Sequence, residues 1–403
     1  MAKGKGGFIG HDGLNAPDSP TGVTGTAGDT QVTVSWTAPT DVGGSAITGY
    51  QVQDGTKTHD ASTTSTSVSI TGLTNGTTYT FNVWAINAFG YSAPSDASAG
   101  VTPATPPRGL IFGGGNTSAL NIIEYITISS TGNAVDFGDL TVTKKGGGAY
   151  SSSTRGVCHA GQKEASPYYQ NVIDYVTIAS TGNATDFGDA LAIKAYGAGL
   201  SNSTRGIYAG GLSGGSATNQ IEYVTIATTS NATDFGDLTG VRANLNDAGA
   251  ASSTRGLFFG GYESGGSNQV NQIQYITIAS TGNASDFGDM SAALYGVSAC
   301  SSGTRAVHAG GIPTYRNTIE YVTIASTGNS TDFGDLTRNF FIGGGTSSST
   351  RGVFSGGETA SNTRSNVIDY ITIASTGNAS DFGDLTATRI YNTMTSSDHG
   401  GLQ

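Results

Sequence analysis

Cysteine is nearly absent from this chain of 403 residues, with Cys158 and Cys300 the two present. No C-x-x-C spacing exists, so a zinc ribbon or finger is excluded, and no bridge between two such distant residues is expected. Charge is sparse, at 12% of residues, and 18 Lys and Arg against 29 Asp and Glu leave a net charge of −11. Nucleic-acid binding, which needs a basic stripe, is therefore not expected. No apolar run is long enough to cross a membrane. The opening residues, "MAKGKGGFIGHDGLNAP", carry two lysines but no apolar core, so a secretory signal is not expected there. The histidines His11, His59, His159, His308 and His399 are scattered, and no nucleophile–base pair stands out. No enzyme, cofactor or metal site is expected.

What is abundant is glycine, 62 residues, about twice the ordinary ~7% share. The glycines recur at fixed offsets inside apolar patterns, which marks turns and close packing. Residues 1–16 are Gly-rich and irregular, with too few apolar residues to fold alone. They read as an attachment peptide in which Phe8 and Ile9 dock into a partner. From Pro17 short alternating strands follow, "QVTVSW" (31–36), "TGYQVQD" (48–54), "TSVSIT" (66–71) and "TYTFNVWAIN" (78–87). Trp36, Tyr50 and "LTNGTTY" (73–79) make residues 17–102 resemble a fibronectin type III domain. The resemblance implies a β-sandwich with Tyr79 as a tyrosine corner, its hydroxyl bonding back to nearby backbone. "PATPP" (103–107) reads as a short semi-rigid spacer.

From Arg108 the sequence repeats itself. Arg-(Gly/Ala)-apolar recurs at Arg108, Arg155, Arg205, Arg255, Arg305 and Arg351, at spacings of 47, 50, 50, 50 and 46 residues. One copy reads as four strands, 196–203, 205–211, 221–228 and 233–238. Period, Gly pair and acidic-plus-Tyr step resemble kelch repeats, with Phe137, Phe187, Phe235, Phe287, Phe333 and Phe382 where kelch has Trp. The first copy lacks its first strand, and "RIYNTMTSS" (389–397) is a surplus first strand at the end. Residues 108–403 are therefore expected to close into a six-bladed kelch-like β-propeller, and the whole chain is all-β. Copper oxidases with kelch propellers need clustered His ligands, whereas His159 and His308 are expected three blades apart.

Several repeated residues invite a chemical reading. The acids of "DFGD" are Asp136/Asp139, Asp186/Asp189, Asp234/Asp237, Asp286/Asp289, Asp332/Asp335 and Asp381/Asp384. Two carboxylates supply a minority of calcium's ligands, and Asp beside Gly satisfies turn backbone by itself. The turn reading is preferred. The "TGNA" asparagines match the glycosylation acceptor but suit a hairpin turn better. An acid opens the third strand at Glu124, Asp174, Glu222, Glu320 and Asp369, and a base follows at Lys144, Lys194, Arg242, Arg338 and Arg389. The spacing is 20 residues in four copies and 18 in one; the copy with Gln274 has Leu294. This co-loss predicts a structural ion pair within each copy.

The turns between strands one and two and between strands three and four barely differ among copies. The loops between strands two and three all differ, and they share the opposite face. They carry Tyr168, Tyr169, Tyr262, Tyr315 and Arg316, residue types that anchor interfaces. The order of Gly-rich start, fibronectin-like module and "TGNATDFGDL" repeats resembles virion structural proteins of tailed phages, especially those of marine cyanobacteria. That resemblance implies a multi-copy tail fibre or adhesin on the particle, held by other virion proteins through its N-terminus. It would touch a host surface glycan or protein with the five loop residues. The alternatives are a capsid or tail decoration protein and a bacterial surface-binding protein.

Overall fold

The structure, a computed structural model, describes residues 15–61, 64–263, 268–360 and 362–403. Phe8 and Ile9 lie outside the described residues. The chain divides into two units at Pro106/Pro107. Among the described residues no helix is long and apolar enough to cross a membrane.

The first unit is a sandwich of seven strands: β1 (Thr21–Gly28), β2 (Gln31–Thr37), β3 (Ile47–Gln53), β4 (Thr58–Ala61), β5 (Ser67–Thr71), β6 (Asn82–Asn87) and β7 (Gly90–Tyr91). One sheet has the order β1-β2-β5 and the other β4-β3-β6-β7. Alternation decides which face is inside. Val32, Val34 and Trp36 of β2 are buried while Gln31, Thr33 and Ser35 between them are half-exposed, and the buried set meets Tyr50, Val52, Phe81 and Val83. Trp36 packs edge-on against Tyr50 with ring centroids 5.0 Å apart. The Tyr79 hydroxyl accepts from the Thr74 N–H at 3.0 Å, the expected corner. The proline-rich segment is not a free spacer. Pro103 O accepts from Gly76 N, and Ala104 N donates to Gly28 O. Proline lacks a donor but keeps its acceptor, so 103–105 fasten onto the sandwich.

The second unit is a six-bladed propeller. Blade 2 is typical, with antiparallel strands Gly148–Ser151, Arg155–Gln162, Tyr169–Thr177 and Thr185–Ala195 from axis to rim. Blades 3 to 6 repeat it from Ala198, Gly249, Ser298 and Gly344. Blade 1 takes three strands from Arg108–Lys144 and its innermost strand from Thr393–Ser396, with Thr393 opposite Phe112 and Ser396 opposite Gly109. The first and last strands of the ring are thereby joined, and the Arg108–Phe112 strand has a partner on both edges. The core lies between blades. Leu110, Phe112, Ile123, Phe137 and Leu140 of blade 1 pack on Ala149, Cys158, Val176 and Ile178 of blade 2. A blade buries both faces only against its neighbours.

The repeated wording has an inter-blade purpose. The side-chain oxygen of Asn183, in the "TGNA" turn of blade 2, accepts from Asp139 N in the "DFGD" of blade 1 at 3.0 Å. Gly182 N donates to Phe137 O at 2.8 Å, and Ala184 N to Asp139 O at 2.7 Å. The same Asn-to-Asp contact is 3.0 Å at all other junctions, including Asn133 with Asp384 across the ring closure. Gly138 has φ +150°, and a Cβ there would stand 2.4 Å from Gly182 O, so glycine is required. Each repeated Arg serves two blades. Arg155 lies over its own Tyr175 ring at 4.4 Å and donates to Ile226 O of blade 3 at 2.7 Å.

Candidate functional site

The predicted ion pairs form, but between copies. Lys144 meets Asp174 at 2.8 Å and Lys194 meets Glu222 at 3.1 Å, all nearly or fully buried. Arg338 meets Asp369, and Arg389 meets Glu124 at 2.7 Å. In every case the base comes from the outer strand of one blade or the residues just after it, and the acid from the third strand of the next. The pairing within one copy is therefore wrong. The joint loss of Gln274 and Leu294 affects two different junctions, and each is repaired. Arg242 turns to Glu263 at 3.1 Å and to Gln272 at 2.7 Å. Glu320 turns to His308 at 3.2 Å and also accepts from the Ser291 and Ser330 hydroxyls. His159 is likewise structural. Its Nδ1 meets the Tyr150 hydroxyl at 2.8 Å, and its Nε2 meets Glu222 at 2.9 Å. Burial lowers the His159 pKa against the opposing pull of Glu222. A neutral ring donating from Nε2 and accepting at Nδ1 fits both contacts. The Tyr–His–Glu chain is sealed from solvent and presents no face to a substrate.

The axis is closed by one complete ring of backbone hydrogen bonds and by a chain of serine hydroxyls that stops at Ala251. Near the diverse-loop face, Gly146, Tyr196, Asn246, Gly296, Ile342 and Tyr391 all have φ between +41° and +66°. That geometry turns each main chain toward the next blade. Tyr196 N donates to Gly146 O at 2.6 Å, Gly146 N to Tyr391 O at 2.8 Å, Tyr391 N to Ile342 O at 2.7 Å and Ile342 N to Gly296 O at 2.9 Å. Gly296 N to Asn244 O and Leu245 N to Tyr196 O, both 3.0 Å, complete the circle. Left-handed Tyr and Ile cost about 1–3 kcal/mol each, which the ring offsets. Toward the uniform-turn face, Ser151 donates to Ser396 O at 2.6 Å, Ser201 to Ser151 O at 2.8 Å and Ser347 to Ser301 O at 2.6 Å. A cavity of about 40 Å³ remains at the innermost strands. Asp247 reaches toward blades 6 and 1, accepting from Gly345 N at 2.8 Å, Met394 N at 2.9 Å and the Thr393 hydroxyl at 2.6 Å. Among the described residues no group of three His, Cys, Asp or Glu is placed to hold a metal ion, and Cys158 and Cys300 are free and buried.

The closed axis is aromatic toward the diverse-loop face, with Tyr196 and Phe341 buried and Tyr262, Tyr295, Tyr315 and Tyr391 half-buried. Tyr262 packs edge-on against Tyr295 at 5.3 Å, Tyr295 against Phe341 at 5.5 Å and Tyr315 against Phe341 at 5.9 Å. Tyr196 and Tyr391 pack at 5.0 Å, and Ile312, Ile342 and Ile390 fill in around Phe341. Glycine makes room for this set, since a Cβ on Gly146 would strike the Tyr196 ring at 2.3 Å and one on Gly296 the Phe341 ring at the same distance. Tyr315 donates to Glu358 at 2.8 Å. Burial first, then Glu358, pushes the Tyr391 phenol up to about 12, so the ring stays a neutral donor. Of the five loop residues expected to make contact, Tyr168 is 56% exposed. Tyr169, Tyr262, Tyr315 and Arg316 are half-buried. The loops are cross-braced rather than free of packing duty: Lys145 pairs with Glu164 at 2.8 Å, and Glu164 also accepts from Ala119 N of blade 1 at 3.0 Å. Sequence reading overlooked Tyr196, Tyr295, Phe341 and Tyr391, which stand on the connections between blades. A tyrosine or phenylalanine just before a small-residue strand, as in "KAYGAG" and "ALYGVS", was the available signal.

Comparison with known proteins matches a third of the chain or less. Exoglucanase B of Cellulomonas fimi is 34% identical over 32% of this chain and 13% of its own length. Chitinase D of Niallia circulans is 44% identical over 19% of this chain and 14% of its own length. The titin homolog of Caenorhabditis elegans is 39% identical over 20% of this chain and 0% of its own length, to the nearest per cent. The chain thus spans about a seventh or less of these relatives. Residues 18–101 match the family described as "Fibronectin type III domain". The two-sheet sandwich and the Tyr79 corner agree with that match, and the segment is a fibronectin type III domain.

Proposed function

We propose that the chain is a non-enzymatic virion structural protein of a tailed phage, a tail-associated fibre or adhesin whose kelch-like propeller touches the host surface. The observation that carries this reading is the aromatic centre on the diverse-loop face. Tyr196, Tyr262, Tyr295, Tyr315, Tyr391 and Phe341 converge there, while the opposite face is built of nearly identical turns. Aromatic anchors ringed by varied polar loops suit recognition of a glycan or protein. The chain enters the propeller at Pro107, whose carbonyl accepts from Ile128 N at the base of the uniform turns. The diverse loops lie at the other end of the blades, a polarity that suits proximal anchoring through residues 1–16 and distal reading. A second reading, a bacterial surface-associated protein, draws support from the sandwich's likeness to segments of an exoglucanase and a chitinase. Labelling the chain on purified particles tests the first reading: tail density supports it, capsid density favours a decoration role, and absence from particles favours the second. Alanine at Tyr168, Tyr262 and Tyr315 should lower adsorption of intact particles at least tenfold, and unchanged adsorption removes the adhesin role.

A further inference from the structure

The uniform face poses a separate question. Most repeated residues there have a structural duty: Asn clamps Asp, Arg reaches the next blade, Gly admits a carbonyl. Five polar groups per copy have none. In blade 2 the hydroxyls of Tyr175, Thr177, Ser180 and Thr181 and the side-chain N–H₂ of Asn183 make no hydrogen bond to any described residue, and all but Tyr175 are exposed. Yet the tyrosine and both threonines recur unchanged in all six copies, and the serine position is Ser or Thr throughout. Recent duplication does not explain this, because other exposed positions of the same blades have drifted. One outer-strand position reads Thr143, Ile193, Ala293 and Asn339, and the loops of the other face differ in every copy.

These groups line one cavity. It measures about 180 Å³ in blade 2 and about 190 Å³ at the matching place in blade 4, where Tyr275, Thr277, Ser280, Thr281 and Asn283 take the same positions. Its lining is neutral, rich in groups that both donate and accept, and flanked by a phenol. The neighbouring Asp186 of "DFGD" is exposed and disfavours an anion. The neighbouring guanidiniums are spent, Arg155 on Ile226 O and the Tyr175 ring and Arg108 on Ile178 O and Ala179 O. We infer that each blade carries a shallow site for one neutral, polyhydroxylated residue of a saccharide chain, and that the propeller is a multivalent glycan binder through its uniform face. A pocket of this size is weak alone, but repetition on a ring raises avidity by about 10²–10⁴ when a ligand spans several sites. This goes beyond the adhesin reading and places the sugar on the opposite face.

The test uses the full chain on an array of immobilised neutral oligosaccharides (α-glucans, β-glucans and chitin oligomers). The variants carry Tyr175→Phe, Ser180→Ala and Thr181→Ala, then the matching changes in three alternate blades and in all six. Retention should fall stepwise with the number of altered blades, with at least a tenfold weaker apparent affinity for the three-blade variant. The thermal midpoint should stay put, since no internal hydrogen bond is removed. If the six-blade variant does not fold, the three-blade variant carries the same reading. Absence of binding to every array member overturns the inference, as does retention unchanged by the three-blade variant. Binding lost only on Tyr262→Ala and Tyr315→Ala also overturns it, while sustaining the adhesin reading. Particles that lose adsorption with those two changes but keep array binding sustain both.

Discussion

At the scale of single residues, the buried charges decide where substitutions hurt. Burial pushes Glu222 up, but the hydrogen bond from His159 and the charge of Lys194 outweigh it and hold the carboxylate at about 2. Glu222→Gln would strand Lys194 where no solvent reaches, a loss of about 3–5 kcal/mol. Glu164→Gln breaks a pair whose acid is half in solvent and should cost under ~1 kcal/mol. Urea titration of both variants should show that order. Asp247 acts with the opposite sign. Burial raises it from 3.8 to about 7 despite the bonds from Thr393, Gly345 and Met394. The folded carboxyl holds its proton more tightly than the unfolded one, so its contribution is full below the ordinary carboxylate range and is lost as pH rises through about 7. Asp247→Asn keeps an acceptor for both N–H groups. The thermal midpoint of the variant should vary less between pH 4 and 8 than that of the parent, and equal slopes would remove Asp247 as their source.

At the scale of the element, the junction between "DFGD" and "TGNA" explains why one phrase recurs. Its strength lies in backbone approach more than in the asparagine. Asn283→Ala removes an exposed acceptor for Asp237 N and should cost about 1 kcal/mol. Gly236→Ala puts a Cβ 2.5 Å from Gly282 O at φ +145°, so the blades must part or the turn must strain, and the cost should be at least twice as large. Denaturant midpoints of the two variants compare them directly, and equal losses would mean the junction yields.

At the scale of the whole molecule, closure by Thr393–Ser396 is the step on which the ring depends. A chain ending at Leu385 would leave Arg108–Phe112 as an open inner edge and would also lose Arg389, the partner of Glu124. Open edges pair with other chains, so light scattering should show association of the shortened propeller, and a monodisperse monomer would mean the ring closes without its last strand.

The sequence by itself determined what rests on local pattern. Alternation marked the strands of the sandwich, "LTNGTTY" marked the Tyr79 corner, and the near-50-residue period with one surplus strand implied six blades closed by residues from both ends of the repeat. Those features depend on periodicity, turn chemistry and order along the chain, all written in one dimension. Only the tertiary structure decided who meets whom. Lys144 has an acid 20 residues behind it and another 30 ahead. The choice of Asp174 follows from the outer strand of one blade ending beside the third strand of the next. The same holds for Tyr196 and Tyr391, 195 residues apart in sequence and 5.0 Å apart as rings. Neither lies in a loop that variability singles out. They meet because positive φ turns six connections inward and ring closure brings them to one axis.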